Sequence, residues 1–325
     1  MTDSTDGLQE PALDLSMGTS QLPGRDTLDR ADLRVLNARS DVQGLLHLTA
    51  HLLTLLTTGW LVHMTRDHIV LLVPVMILHG FAIVTLFAPM HECVHMTPFR
   101  SRWLNKTVGW MVGLPTFYNS DYYRRFHHWH HRFTQDPAHD PELQTPKPRT
   151  LGDYWLRLSG ILFWRERLTD LLMVSLGRTH HLPYVPPQAH HVLAWSARAQ
   201  VALYLLVAGV AIFYQSTAPL VYWILPVLLG QPLIRAILIA EHTGCSEGPN
   251  GLTNTRTTLT SWPVRLLMWN MPFHAEHHLY PSIPFHALPR AHARIRERLT
   301  HLDDGYLKVN RDIRRSLSIP AGQIE

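Results

Sequence analysis

"HIVLLVPVMILHGFAIVTLFAPMHECVH", residues 68–95, decides the fold. Residues 68–90 carry no ionisable side chain except histidine, and their length meets the ~20 residues that cross a bilayer core at ~1.5 Å each. The residues that follow place His91 and His95 at i and i+4, neighbours on one face of a helix. An apolar span therefore runs directly into a pair of imidazoles at the membrane surface.

Working outward, residues 45–63 form a second apolar run, separated from the first only by "MTRD". A later pair, residues 198–214 and 218–240, is separated only by "QSTA". The expectation is an all-α integral membrane protein with four transmembrane helices in two hairpins. Arg66 is the one basic residue of the short turns, whereas residues 97–190 and the C-terminal region are rich in Lys and Arg. The positive-inside rule then puts both hairpin tips outside and both termini and the middle segment in the cytoplasm. Two tightly turned hairpins with this asymmetry disfavour the buried helices of a soluble protein. The domain reading is a mobile polar tail over 1–40, with a short helix around "RADLRVLNARSDV", a membrane domain over 41–300 and a C-terminal tail over 301–325. No apolar run follows a basic start near the N-terminus, so no secretory signal is read there.

Composition narrows the chemistry. The 325 residues include 23 His, 29 Lys+Arg, 25 Asp+Glu and only two Cys. A disulfide framework and a thiolate zinc site are excluded, and the mild basic excess does not imply nucleic acid. The histidines are patterned. "HHWHH" sets His127, His130 and His131 on one helical face, and "AEHTGC" puts His242 where the fourth span exits. "NMPFHAEHHLYPSIPFH" adds His274, His277 and His278 before Pro281 and Pro284 end the helix. With His91 and His95 these make nine, all at one membrane face. That is too many for one ion and suited to two.

HExxH over 91–95 is also the zinc-protease signature, with Glu92 as general base. A protease has no use for the remaining clusters. A metal transporter places its ligands near the bilayer midplane, whereas these lie beyond the span ends. Imidazole suits zinc, copper, iron or nickel. Two adjacent ions without thiolate favour iron, a choice the histidines alone leave open.

"HECVH", "HHWHH" and "HAEHH", in order between two hairpins, together with "EHTG", resemble the membrane fatty acid desaturase superfamily over residues 45–295. The contexts "HECVHMTPFRSRWLN", "FTQDPAHDPEL" and "NMPFHAEHHLYPSIPFHALP" are most similar to a bacterial branch that includes terminal-alkene-forming enzymes. The resemblance implies a cytoplasmic helical cap carrying a histidine-box site for two Fe ions. It also implies dioxygen as co-substrate and a fatty acyl or similarly apolar substrate. Localisation to the bacterial inner membrane, contact with membrane lipid and a separate ferredoxin- or cytochrome-type electron donor follow, since no b5-type segment or CxxC pattern is present. Glu92 stands where many desaturases carry Asp, so the product stays open: an internal double bond, an alcohol, or a terminal alkene by oxidative decarboxylation.

Outer groups that orient ligand rings are expected among Glu92, Glu241, Glu276, Asn270, Asp136 and Asp140. Arg235 lies inside the fourth span, seven residues before His242, with Gln231 one turn away. An intramembrane arginine is a functional candidate, here for a substrate carboxylate, with snorkelling to the interface as the alternative. His47, His51, His63 and His79 are read as packing residues. His128, by helical phase, and Cys93, about 200° from His91, should face away from the metals.

Overall fold

Apolar length and helix-ending signals translate directly into helices. The computed structural model describes residues 24–318. The first hairpin is α2 (Asp41–Thr65) and α3 (Ile69–Val84), the latter extended past a break by α4 (Phe87–Val94), and α1 (Arg30–Leu36) precedes it. Then come α5 (Arg102–Gly113), α6 (Ser120–Arg132), α7 (Leu151–Leu158) and α8 (Ile161–Ser175). The second hairpin is α9 (His190–Phe213) and α10 (Leu225–His242), the latter entered through a π-turn over Leu220–Ile224. The C-terminal part holds α11 (Trp262–Leu267), α12 (His274–Leu279), α13 (Leu288–Ile295) and α14 (Tyr306–Leu317). Strands β1 (Thr257–Leu259) and β2 (Leu302–Asp304) pair in parallel.

Four helices are long and apolar enough to cross a membrane: Asp41–Thr65, Ile69–Val94, Pro187–Phe213 and Leu220–His242. They coincide with the four expected spans. The third begins well before residue 198, because the helix continues through the more polar "HHVLAWSAR".

The spans contain breaks, and two histidines repair them. At Thr85 the helix slips, so Leu86 N–H bonds Ile83 O and leaves the Ala82 carbonyl to His51 Nε2 at 2.9 Å. Trp269 Nε1–H donates to His51 Nδ1 at 3.3 Å, which fixes the proton on Nε2. In α10, Pro226 has no N–H for the Tyr222 carbonyl; His79 Nε2 donates to it at 3.1 Å, and its Nδ1 meets Thr58 Oγ1 at 2.8 Å. Unsatisfied backbone groups at this depth cost several kcal/mol, so both rings are structural, as expected of them.

The largest helix–helix contact joins α3 and α10. It depends on glycine. A Cβ on Gly80 would lie 1.8 Å from the Pro226 carbonyl oxygen, and one on Gly230 would lie 2.4 Å from the Gly80 carbonyl carbon. The backbones touch, as small residues permit in membranes. Both helices run from a hairpin tip to the histidine end, so this crossing brings His91 and His242 to the same end, where both line one cavity.

Both proposed tails need correction within the described residues. Residues 24–40 are strapped to the C-terminal helices. Leu28 and Leu36 are buried with Leu288 and Ile295, the Leu28 amide donates to Tyr280 Oη at 2.9 Å, and Asp32 pairs with Arg294 at 2.8 Å. Residues 1–23 lie outside the described residues, as do 319–325. Residues 301–318 form β2 and α14, which buries Val309 and Ile313. Asn310 Nδ2 donates to Ala236 O of α10 at 2.9 Å, and Tyr154 Oη donates to Asn310 Oδ1 at 3.0 Å.

Gly80→Ala or Gly230→Ala should destabilise by at least the ~1–3 kcal/mol of ordinary overpacking, because the clash is with backbone. Gly209→Ala, whose Cβ would meet nothing within 4 Å, is the matched control and should leave the melting temperature in detergent unchanged or slightly raised. Equal melting temperatures for all of these proteins would refute the tight crossing.

Candidate metal centre

Four elements deliver histidines to one place. α4 carries His91, with His95 as its C-cap; α6, capped by Asn119 whose Oδ1 accepts the Tyr122 amide at 3.0 Å, carries His127, His130 and His131. α10 ends at His242, and α12 carries His274, His277 and His278. Two groups result. Ring nitrogens of His91, His95, His127, His131 and His277 all lie within 4.8 Å of one another, and those of His130, His242 and His278 form a second such set. His274 joins the edge of the second group, its Nε2 lying 3.2 Å from His242 Nε2 and its ring 4.5 Å from that of His278. The groups adjoin, since the His131 and His278 rings are 4.2 Å apart.

His131 Nε2 faces both His127 Nε2 at 3.0 Å and His277 Nε2 at 3.1 Å. Nitrogens bound to one ion at about 2.1 Å and at right angles sit about 3 Å apart. Among the described residues, both nitrogens of His91, Nε2 of His95 and His278, and Nδ1 of His131, His274 and His277 are buried without a hydrogen-bond partner. Uncompensated buried polar groups are rare. Burial and then neighbouring imidazoles lower the pKa of His95, His127, His131, His274 and His278, and burial followed by His130 brings His277 to about 3. Rings whose Nε2 atoms converge, as those of His127, His131 and His277 do, and which burial keeps neutral, are the donor set that a borderline cation needs.

Outer partners hold the rings. His130 Nδ1 meets Asp140 Oδ1 at 2.9 Å, while the amides of Gln135 and Glu142 donate to Asp140 at 2.8 and 2.9 Å. Burial would lower His130, but Glu142 and Asp140 overcome it and raise its pKa to about 9. His242 Nδ1 meets Asn254 O at 3.2 Å, His278 Nδ1 meets Thr134 Oγ1 at 3.3 Å, and His127 Nδ1 meets Tyr123 Oη at 3.3 Å. This is the pattern by which ligand rings are oriented.

The matching family profile, fatty acid desaturase, spans residues 67–309. The chain belongs to the fatty acid desaturase family. This desaturase is 25% identical over 254 residues to the sn-1 oleoyl-lipid 12-desaturase of Picosynechococcus sp., covering 70% of each chain. It is 22% identical over 236 residues to the chloroplastic omega-6 fatty acid desaturase of Arabidopsis thaliana, covering 67% of this chain and 52% of that one. With the sphingolipid delta(4)-desaturase DES1 of Homo sapiens it shares 25% over 208 residues, 62% of this chain and 58% of the other. The protein is a membrane oxidoreductase of this family.

The expected orienting groups separate. Asp140 contacts a ring directly. Glu92 is buried beside His91, 3.8 Å from its Nδ1, and accepts from Thr97 Oγ1 at 3.0 Å and the Phe285 amide at 3.1 Å. Glu241 Oε2 lies 3.5 Å from His274 Nε2. Glu276 touches none of the nine rings; it holds His292 and the Thr257 hydroxyl, anchoring α12 to α13 and β1. Asn270 adopts a positive φ of 56° and bonds Phe285 O and Arg265, as a turn residue does. Asp136 bonds His139 and the Ala138 amide at the surface. Glu142, 3.7 Å from His130 Nε2 and 4.0 Å from His127 Nδ1, was missed, as were Thr134 and Tyr123. His128 and His286 stay outside both groups, and Cys93 packs toward Gly109 on the far side of α4. Arg235 lines the cavity that reaches the histidines.

Asp140→Asn keeps shape and loses the charge on His130. Metal retained under graded chelator should fall, with affinity reduced roughly 10–100-fold, whereas Asp136→Asn should match wild type. Indistinguishable metal retention in the two variants would remove Asp140 from the site.

Proposed function

We propose that this desaturase forms a carbon–carbon double bond in a fatty acyl chain, using two iron ions and dioxygen. His91, His95, His127, His131 and His277 would hold one ion; His130, His242, His274 and His278 would hold the other. When bound, the pair supplies the oxidising chemistry for unactivated C–H bonds. In the overall balance dioxygen becomes two waters, taking two hydrogens from adjacent carbons, two electrons from a separate donor protein and two protons from solvent. The observation that carries this reading is the pair of adjoining imidazole groups with orphaned nitrogens, at the ends of two spans, opening on one cavity.

The chain's own residues bind, orient and exclude. The outer carboxylates and hydroxyls fix ring tautomers, and Phe87, Tyr118, Tyr123 and Met271 line the cavity beside the rings, limiting water there. An acyl substrate is supported by the names of the relatives, all lipid or fatty acid desaturases. A protease role is disfavoured because Glu92 is tied to Thr97 and Phe285. The lysine and arginine bias supports a cytoplasmic site in a bacterial inner membrane.

Gas chromatography–mass spectrometry of lipid extract and headspace, from cells expressing wild type or His277→Ala together with a ferredoxin or cytochrome donor, tests the reaction. New unsaturated chains only in the wild type are expected. Alcohols or terminal alkenes instead would retain the centre and replace the product. Wild-type protein purified without two equivalents of iron would overturn the di-iron reading.

A further inference from the structure

The cavity reaching the metal centre is small and charged. It measures about 220 Å³, below the ~300–1,000 Å³ that drug-sized ligands fill. It touches His91 and His127 of one imidazole group and His130 and His242 of the other, so a molecule inside it lies against both. Its wall is mixed: Phe87, Phe126, Phe163 and Leu238 lie among acidic and basic side chains, so charge as well as apolar surface meets whatever binds there.

Most of the charges in that wall already have partners. Arg167 pairs with Asp170 at 2.8 Å, and Glu166 accepts from the Thr145 hydroxyl. Glu142 faces His130, and Glu241 faces His274. Arg157 spends Nη2 on the carbonyls of Thr145 and Pro146. Arg235 differs. Its Nε is buried with no hydrogen-bond partner among the described residues, and its guanidinium lies over Phe163 at 4.5 Å from the ring centre. Arg157 is held below its ordinary pKa by burial and then by Arg235, against the pull of Glu166, Glu142 and Asp153. A cation inside a span with a buried N–H short of an acceptor, and with a second cation beside it, can take an anion in addition to Glu241, the carboxylate that already attracts it.

We propose that Arg235, with Arg157 beside it, binds an anionic end group of the substrate, a carboxylate or a phosphate, within the cavity that touches both imidazole groups. The substrate is thus presented by its charged end, and the carbon oxidised lies only a few bonds from that end. This rests on the proposed reaction only in taking the cavity as the place where the reacting carbon sits.

Isothermal titration calorimetry on the purified, metal-loaded protein in non-ionic detergent tests the site without turnover. The probes are dodecanoic acid, its methyl ester and monododecyl phosphate, against wild type, Arg235→Gln and Arg235→Lys. Metal content and circular dichroism equal to wild type establish that each variant folds. Wild type should bind the acid about tenfold more tightly than the ester, the scale of a lost charge-assisted bond. Arg235→Gln should erase that preference and Arg235→Lys should keep part of it. The same Arg235-dependent preference for the phosphate, but not the acid, would support the site with phosphate as its ligand. Equal binding of all three probes by wild type, or a preference that survives in Arg235→Gln, would overturn it. Preserved binding with no oxidised product in cells would reject the reaction and leave the anion site standing.

Discussion

Everything at the histidine end depends on two helices whose backbones touch. α3 and α10 approach so closely at Gly80 and Gly230 that no side chain fits between them. Lipid supplies no hydrophobic drive between spans, so close packing has to hold them together. The crossing lies about midway along both spans. A small error in the crossing would grow along the helices and separate His91 from His242. The same pair of helices carries interruptions, a slip at Thr85 and the missing N–H of Pro226, and the carbonyls released there are taken up by His51 and His79. Histidine therefore does two different jobs in this protein, one as a hydrogen-bond donor in the spans and one as a convergent cluster at their ends.

That division was partly legible in the sequence. Spacings of three and four identified the rings that would share a face, and the spans placed those faces at one membrane surface. Spacing also argued for Cys93 and His128 turning away, and neither joins a group. Glu276 was open to the same test. It lies two residues from His274, about 200° around the helix, and so points at His292 and Thr257 instead of the metal side. Asp136 and Asp140 could not be told apart in this way, because they lie in a turn with no regular phase. Glu142 was hidden for a similar reason: it follows Pro141 in a short 3₁₀ turn, and only the packing of that turn against α6 brings its carboxylate to His130 and His127.

The terminal segments failed for another reason. Leu28 stands alone among polar residues and Leu36 closes a short helix, and their partners lie on α13, far along the chain. Local composition has no access to such a pairing. α14 is a different case, since Val309 and Ile313 are four apart and mark one face of an amphipathic helix. Its burial against α10 and α7 matters to the site, because Arg256 and Asn310 fasten the C-terminal part of α10 that leads to His242. Arg256 donates to the carbonyls of Ala240 and Thr243 and pairs with Asp303 of β2 at 3.0 Å. A cation at a helix C-terminus satisfies orphan carbonyls and favours the negative end of the dipole. The C-terminal residues thus set the position of a metal-site histidine from outside the site.

The metal centre and the charged cavity constrain one another. Burial pushes most of the clustered imidazoles toward the neutral form, whereas the carboxylates of Glu142 and Asp140 hold His130 toward the protonated form. Asp140 is admitted because it faces the Nδ1 side of His130 and leaves the opposite nitrogen toward its neighbours. Glu142 and Glu241 are closer to the ring faces that converge, so their charge adds to the field that two bound cations would answer. Arg235 and Arg157 share the charged cavity with histidines of both groups. In the proposed anion site, an end group held by Arg235 would lie in the same cavity that both imidazole groups line, and the oxidised position would follow from where that end is held.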